Sequence, residues 1–447
     1  MPDNQPDSGT VAVVGLGYVG SCLAAALAER GLNVLGIDTD EQLIDEYKAG
    51  FCRFREDMLA DGIARALAAG RLHLTTDHRA VSAAGVVLIA VGTPVHADGS
   101  LADEQLRAAC GALGEHLRPG QLAVLKSTVP PGTTRELVRP LLEQGGLRAG
   151  RDFRLAFSPE RLAEGTALTE LRSFPIVVGG IDARSTAEAA EFWRRGLGVE
   201  TVPQESLEAA ELVKLADNWW IDLNIALANE LARLCALYGA DVLDVIEAAN
   251  TVPKGNGRVN ILLPGVGVGG SCLTKDPWMV WHAARLRGLE LHTPRAGRAA
   301  NSAMPEYTAQ LIIDDLVERG KDPAESTVAV LGLAFKNDTG DLRATPTQGV
   351  IAALTKAGVR VRCHDPLVDA DAAEDLLNVR PLPTVEETVR DADCLAVLAH
   401  HRAFDAIEYA ALEPAGSCLI LDGRDHFPKD KVAKLRELGY RYRGIGR

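Results

Sequence analysis

The sequence has no Cys-x-x-Cys pair, and its eight cysteines (Cys22, Cys52, Cys110, Cys235, Cys272, Cys363, Cys394 and Cys418) fall without paired spacing. That excludes a zinc-ribbon pattern and a disulfide framework, and suits reduced thiols in a cytosol. There is no excess of basic residues either. A formal net charge of −14 argues against a nucleic-acid or anionic-membrane surface, because both select for clustered Lys and Arg. No apolar run is long enough to span a bilayer, and the polar stretch Met1 to Gly9 lacks the basic-then-apolar layout of a secretory signal. Solenoid-length repeats and low-complexity tracts are also missing. What remains is a globular, cytoplasmic chain of 447 residues, 47% hydrophobic, with enough apolar material for two to four domain cores.

The pattern from Thr10 reads as strand, Gly-rich turn, helix, strand: Val11 to Val14, Gly15 to Gly20, Ser21 to Arg30, Asn33 to Asp38. Further apolar runs at Val86 to Val91, Leu122 to Lys126 and Ile176 to Gly179 predict buried strands of a parallel sheet. A breaker-free stretch from Leu207 to Tyr238, closed by Gly239, predicts one long spine helix. Shorter helices are expected at Val242 to Ala249, Pro277 to Arg287 and Met304 to Arg319. The strand pattern restarts at Val328 to Leu331, Val359 to Val361, Cys394 to Leu398 and Ser417 to Leu421. The fold class is therefore α/β: two Rossmann-like, doubly wound parallel-sheet domains, residues 1–205 and 323–447, joined by a helical middle domain, residues 206–322.

Gly15-Leu16-Gly17-Tyr18-Val19-Gly20 follows a strand, opens a helix, and is answered by Asp38 at the end of the next strand. The glycines permit a tight turn and close approach of a pyrophosphate to the helix N-terminus, and Asp38 can accept hydrogen bonds from a ribose diol. An acidic residue there repels a 2′-phosphate, so the cofactor expected is NAD. Thr93 and Thr128 each follow a buried strand, at the carboxyl edge where open sheets bind ligands; turn chemistry is the alternative for Thr128.

Cys272 ends the run Gly265 to Ser271 and precedes Asp276 by four residues. Gly-rich backbone admits a ligand to the thiol, and Pro277 makes Asp276 an expected N-cap. Read alone, Cys272 is a buried thiol in a tight turn more often than a nucleophile; its neighbours in the chain shift that reading. Lys214 and Asn218 lie one turn apart on the long helix, either as donors aimed at one spot or as a solvated face. Glu160 and Glu164, four apart after Ser158-Pro159, read alone as the exposed first turn of a helix. His400-His401, without further ligands in sequence, read as loop residues rather than a metal site. Trp219-Trp220 reads as core or dimer packing.

Together these segments resemble the UDP-glucose/GDP-mannose dehydrogenase family over nearly the whole chain. The resemblance runs through the Gly15 fingerprint, Ser127 to Gly132, Ser158-Pro159-Glu160, Glu164-Gly165, Lys214 and Asn218, and Gly269-Gly270-Ser271-Cys272 with Lys275-Asp276. It continues through Gly332 to Lys336, Asp341-Leu342-Arg343 and Asp422-Gly423-Arg424. It implies a four-electron oxidation of a nucleotide-sugar C6 alcohol to a carboxylate, consuming two NAD. By resemblance, Cys272 forms the thiohemiacetal and thioester, and Lys214 and Asn218 stabilise oxyanions. Asp276 and Thr128 hold or activate water, and Glu160 or Glu164 assists hydrolysis. The same likeness places Lys275 and Arg343 beside the cofactor. It places Glu160, Arg161, Gly265, Gly269, Phe335, Lys336 and Arg424 around a UDP-sugar, with Arg258 lent across a homodimer or higher homo-oligomer.

Segments around Arg161, Asn224 to Glu230, and Arg258 to Leu262 look most like the UDP-N-acetyl-D-mannosamine dehydrogenase branch. That branch usually carries His before the catalytic Cys and no Lys before the Asp, whereas this chain has Ser271 and Lys275; Ala344-Thr345-Pro346 departs too. UDP-glucose, UDP-N-acetylglucosamine and GDP-mannose are the alternative substrates. Rival readings are a two-electron hydroxyacid dehydrogenase and a non-catalytic nucleotide sensor.

Overall fold

Alternation within single strands explains why the apolar runs are continuous. In β1 (Asp7–Val14), Val11 and Val13 enter one core while Ala12 and Val14 enter another on the opposite sheet face, so every position must be apolar. A computed structural model describes residues 7–255 and 257–447. The chain forms two compact units. One comprises residues up to Asp217 with Met279–Leu289, and the other Asn218–Trp278 with Glu290–Arg447.

The first unit contains β1, β2 (Asn33–Ile37), β3 (Leu72–Thr75), β4 (Ala84–Ile89), β5 (Leu122–Leu125), β6 (Arg154–Phe157), β7 (Ile176–Gly180) and β8 (Thr201–Gln204). They form one sheet in the order β3-β2-β1-β4-β5-β6-β7-β8, parallel except for β6 against β7. Strand order reverses between β1 and β4, with β2 on the far side, which creates a switch-point crevice at the carboxyl ends. Phe157 closes β6, so Ser158–Gly165 is a loop, and the residues around Glu160 and Glu164 do not start a helix; the next helix is Ala167–Glu170.

The second unit holds a small hairpin, β9 (Pro253–Lys254) with β10 (Gly257–Arg258), and a second sheet. Its strands are β11 (Thr327–Leu331), β12 (Arg360–His364), β13 (Cys394–Val397), β14 (Leu419–Asp422) and β15 (Arg441–Gly444). All pairs are parallel, in the order β12-β11-β13-β14-β15. Val328 and Val330 face one core, Ala329 and Leu331 the other. Strands β3, β6, β8 and β15 escape the apolar pattern: β8 carries Pro203 with an exposed Val202, and β15 alternates Arg, Tyr, Arg and Gly.

The Leu207–Tyr238 helix has 32 residues and ends where Gly239 takes a positive φ of 65°. Asp276 is itself the first residue of the Asp276–Leu286 helix, one position inside the N-cap expected from Pro277. No helix among the described residues is long and apolar enough to cross a membrane.

Glu211, on the long helix, is fully buried. It accepts from the Gly132 amide at 2.6 Å and from the Thr134 amide and hydroxyl at 2.8 and 2.6 Å. It therefore anchors the loop after β5. Burial outweighs these donors and raises its pKa from 4.5 to about 7. Raised folded-state pKa means the unfolded chain ionises first, so this group's contribution to stability falls as pH rises from about 4.5 to 7 and is flat above. The Glu211→Gln variant lacks that loss. Its unfolding midpoint relative to the unsubstituted protein should therefore climb across that window, by an amount equivalent to about 3 kcal/mol. Parallel midpoint-against-pH curves would refute the assignment.

Candidate active site

At the switch point of the first sheet, a cavity of about 430 Å³ is lined by Gly15, Gly17, Asp38, Val91, Gly92 and Gln105, among others. The three fingerprint glycines have different reasons to be glycine. Gly15 has φ +89°, and a Cβ there would stand 2.8 Å from the Ala90 carbonyl; a Cβ on Gly20 would stand 1.8 Å from the Gly15 oxygen. Gly17, at the N-cap of the Tyr18–Glu29 helix, meets nothing within 4 Å. Its missing side chain leaves room for a ligand rather than for the protein. Asp38 accepts from the Leu16 amide at 2.6 Å and from the Asp40 amide at 3.0 Å, which fixes its carboxylate at the rim. The set fits a dinucleotide with a free ribose diol.

Tyr18 and Val19 begin the helix and pack on its core. The Tyr18 hydroxyl donates to Glu56, whose carboxylate also accepts from the Gly165 amide at 2.6 Å. Glu56 thereby ties the fingerprint to the Glu164-Gly165 loop, a role with no signal in the sequence. Glu164 is half-buried in that loop. Thr93 is buried and Thr128 half-buried; between their loops the Ser127 hydroxyl donates to the Val91 carbonyl at 2.6 Å.

Glu160 is buried. Its Oε1 accepts from the Leu162 amide at 2.7 Å, and its Oε2 is shielded from solvent with no hydrogen-bond partner. The nearest cation is Lys126, 3.8 Å away and 1% exposed. Lys126 also donates to the Pro159 carbonyl at 3.1 Å and lies over the Trp193 ring. Burial lowers its pKa; Glu160 counters this, and the nearby Lys214 adds to the lowering. Lys126 is a site residue that the sequence reading passed over. Its only advance signal was that it opens the segment running to Thr134. Lys214 is buried as well. Arg161 donates to the Pro175 carbonyl and stands 3.8 Å from Asp217.

In the second unit Cys272 is exposed. Its carbonyl accepts from the Lys275 and Asp276 amides at 3.1 and 2.9 Å, so the chain makes one turn between Cys272 and Asp276. Asp276 is completely buried. Lys275 Nζ donates to its Oδ1 at 2.6 Å, and Asn218 Nδ2 donates to its Oδ2 at 2.5 Å. Lys275 is thus spent on Asp276 in this structure.

A relay of buried polar groups holds the Gly-rich loop. The Gly265 amide donates to Asn229, Asn229 donates to Asn301, and Asn301 donates to Asp222, which is paired with Arg298 at 2.7 Å. Arg298 reaches on to the Leu273 carbonyl at 3.5 Å. The relay therefore grips both ends of the segment bearing Cys272. Gly269 and Gly270 lie on Phe335, where a Cβ would stand 2.5 Å from the Phe335 Cβ or 2.8 Å from its ring.

Arg424 donates to the Leu398 and Phe335 carbonyls at 2.8 and 2.6 Å, and burial lowers its pKa to about 10, leaving it cationic at neutral pH. Phe335, Lys336, Gly265 and Arg424 therefore gather at the carboxyl edge of the second sheet, beside the thiol loop. Arg343 is different. Its guanidinium is bound to Asp341 in an exposed turn, while its carbonyl accepts from the Gly270 amide at 3.0 Å. Arg258 is exposed on the β9–β10 hairpin.

Comparison with known proteins matches the chain to three models of the UDP-glucose/GDP-mannose dehydrogenase family. These are the NAD binding domain at residues 9–196, the central domain at 208–303 and the UDP binding domain at 329–429. A UDP-N-acetyl-D-mannosamine dehydrogenase of Pyrococcus horikoshii is 32% identical, over 98% of this chain and 99% of that protein. Its solved structure superposes with a TM-score of 0.87 at the same identity and coverage. A UDP-glucose dehydrogenase from Pyrobaculum islandicum superposes with a TM-score of 0.86 at 31% identity, covering 100% of this chain and 99% of that one.

Cys272 is the single exposed thiol. Cys52 is half-buried with its pKa raised by burial, and the others are buried. Brief treatment with iodoacetamide at neutral pH should add one label that peptide mapping places on Cys272. Labelling of Cys52 first would contradict this ordering.

Proposed function

The chain belongs to the UDP-glucose/GDP-mannose dehydrogenase family, and from that premise we propose that it oxidises C6 of a UDP-N-acetylhexosamine, such as UDP-N-acetylmannosamine, from alcohol to carboxylate. It is an NAD-dependent oxidoreductase of nucleotide sugars. When bound, NAD would supply the hydride acceptor for each of the two two-electron oxidations. Gly15, Gly17, Gly20 and Asp38 hold the dinucleotide. Phe335, Lys336, Gly265, Gly269 and Arg424 receive the nucleotide sugar, within a proposed organisation of residues 1–205, 206–322 and 323–447. Several relatives at 31–33% identity are named UDP-N-acetyl-D-mannosamine dehydrogenase, which supports this substrate class. A UDP-glucose 6-dehydrogenase of Haloferax volcanii is also 32% identical, and with Ser271 and Lys275 it keeps UDP-glucose as the second reading.

The observation that carries the mechanism is the exposed Cys272 backed by a buried Asp276 whose two oxygens both accept charged or amide donors. After the first oxidation Cys272 Sγ adds to the aldehyde carbon, and the oxygen becomes a thiohemiacetal hydroxyl or its anion. The second oxidation removes a hydride and a proton to give the thioester; water then adds and the thiolate leaves, freeing the acid. Asn218 spends one amide hydrogen on Asp276 and keeps one for an oxyanion, beside the charge of Lys214. With both oxygens already accepting, from Lys275 and from Asn218, the Asp276 carboxylate is suited to orienting water. The unpartnered Oε2 of Glu160 makes Glu160 the better base for hydrolysis, with Glu164 next.

We propose a homodimer as the minimal assembly. Trp220, Leu227 and Leu234, seven residues apart on the long helix, are each about half exposed (49–51%), a stripe that suits helix packing against a second copy. Converting Leu227 and Leu234 to Glu should yield a monomer by light scattering.

Supplied with its sugar and excess NAD, the protein should form two NADH per molecule oxidised. Cys272→Ala should lower acid formation by on the order of 10³ or more; acid made at the normal rate by that variant would defeat the mechanism. Among UDP-N-acetylmannosamine, UDP-N-acetylglucosamine, UDP-glucose and GDP-mannose, the first should give the highest kcat/KM. A clear preference for UDP-glucose would overturn the substrate assignment while leaving the chemistry intact.

A further inference from the structure

Beyond the carboxyl end of β13, three side chains far apart in sequence converge. His400 follows that strand, Asp405 lies in the short turn Arg402–Ala406, and His426 follows β14. One ligand atom from each lies within 4.8 Å of the others. His400 Nε2 is 3.6 Å and His426 Nε2 3.9 Å from the same oxygen, Asp405 Oδ1. Both separations exceed a good hydrogen bond. His400 is 3% exposed, and its Nε2 is shielded from solvent without any hydrogen-bond partner. An orphaned ring nitrogen that deep calls for an explanation.

The surroundings hold His400 in place. The His400 ring stacks on His426 at 3.6 Å and stands edge-on to Phe404 and Phe427. The His400 amide donates to Asn337 at 2.9 Å, fixing the backbone. Lys431, the nearest cation, is drawn over the Phe427 ring at 4.3 Å.

We propose that His400, Asp405 and His426 form a binding site for a divalent transition-metal ion of the zinc type. Two imidazole nitrogens and one carboxylate oxygen are the donor set that such borderline ions favour. An ion at the centre of the triangle lies within roughly 2.5 Å of each donor, a few tenths of an ångström from zinc bond lengths. The two more exposed donors, Asp405 and His426, close that gap by rotating, His426 turning out of its stack on His400 so that its in-plane lone pair faces the ion. A fourth position stays open to water. Because His426 is two residues beyond Arg424, the ion clamps the turn that presents Arg424 to the strap of residues 400–405. The site is separate from Cys272 and needs neither NAD nor a sugar.

The test is a titration of the full chain, freed of metal with a chelator, with Zn²⁺ by calorimetry and with Co²⁺ by visible absorption. One ion per chain is expected, with a tetrahedral Co²⁺ spectrum lacking a thiolate charge-transfer band, and with a thermal midpoint raised by Zn²⁺. His426→Ala and Asp405→Asn alter exposed side chains, and each should weaken binding by about tenfold or more and abolish the thermal shift, with the circular dichroism spectrum unchanged. Cys272→Ala should leave the affinity unaltered. The proposal fails if no ion is held at submillimolar concentration, if both variants bind as tightly as the unsubstituted chain, or if binding disappears with Cys272→Ala.

Discussion

Asp222 and Arg298 form an ion pair whose side chains are 1% and 8% exposed, and the segment that carries the exposed Cys272 thiol hangs from it. Removing one partner of such a pair leaves an uncompensated charge in the interior, at a cost of about 3–5 kcal/mol. Asn301 and Asn229 spread that charge along a chain of neutral amides to Gly265, while Arg298 reaches Leu273. The Gly-rich loop contributes few side chains of its own, so its conformation is imposed from outside. A loop held this way exposes its thiol without becoming floppy, as the nucleophilic role proposed for Cys272 requires.

Electrostatics follow the same logic on a larger scale. The chain carries a formal net charge of −14, yet its sites are organised by buried or largely buried cations: Lys126 beside Glu160, Lys275 on Asp276, and Arg424 at the second sheet's edge. A diffuse negative surface does not attract an anionic nucleotide; local cations in low dielectric do.

Much of the fold was legible because buried parallel strands must be apolar throughout, and because Gly239 marks the end of a helix that nothing interrupts from Leu207. The strands that were missed, β3, β6, β8 and β15 with the two-residue strands β9 and β10, include polar or edge sequences in which pairing rather than hydrophobicity decides. Around the thiol loop, the motifs single out Cys272, Asp276, Lys214 and Asn218, but not their buried helix neighbours Glu211, Asp222 and Asn229. Glu211, Lys214, Asn218, Asp222 and Asn229 recur at three, four, four and seven residues along one helix, and all five are buried. That polar stripe at helical spacing was visible in the sequence, but a polar stripe ordinarily marks a solvated face. Only its partners on other elements, Thr134, Asp276, Arg298 and Asn301, reveal that it points inward. Glu56 and Asp405 left no local trace, since their partners are more than a hundred residues away or across a turn of no fixed pattern.

The three glycines of the fingerprint answer to different constraints. Gly15 and Gly20 are demanded by the backbone that surrounds them, whereas Gly17 borders open space. Selection for a folded chain alone would therefore hold the first and third and let the second drift to alanine. Position 17 is where purifying selection on ligand use separates from selection on folding. A descendant of this chain that kept its architecture but abandoned dinucleotide chemistry would show the change there before it showed it anywhere in the sheet.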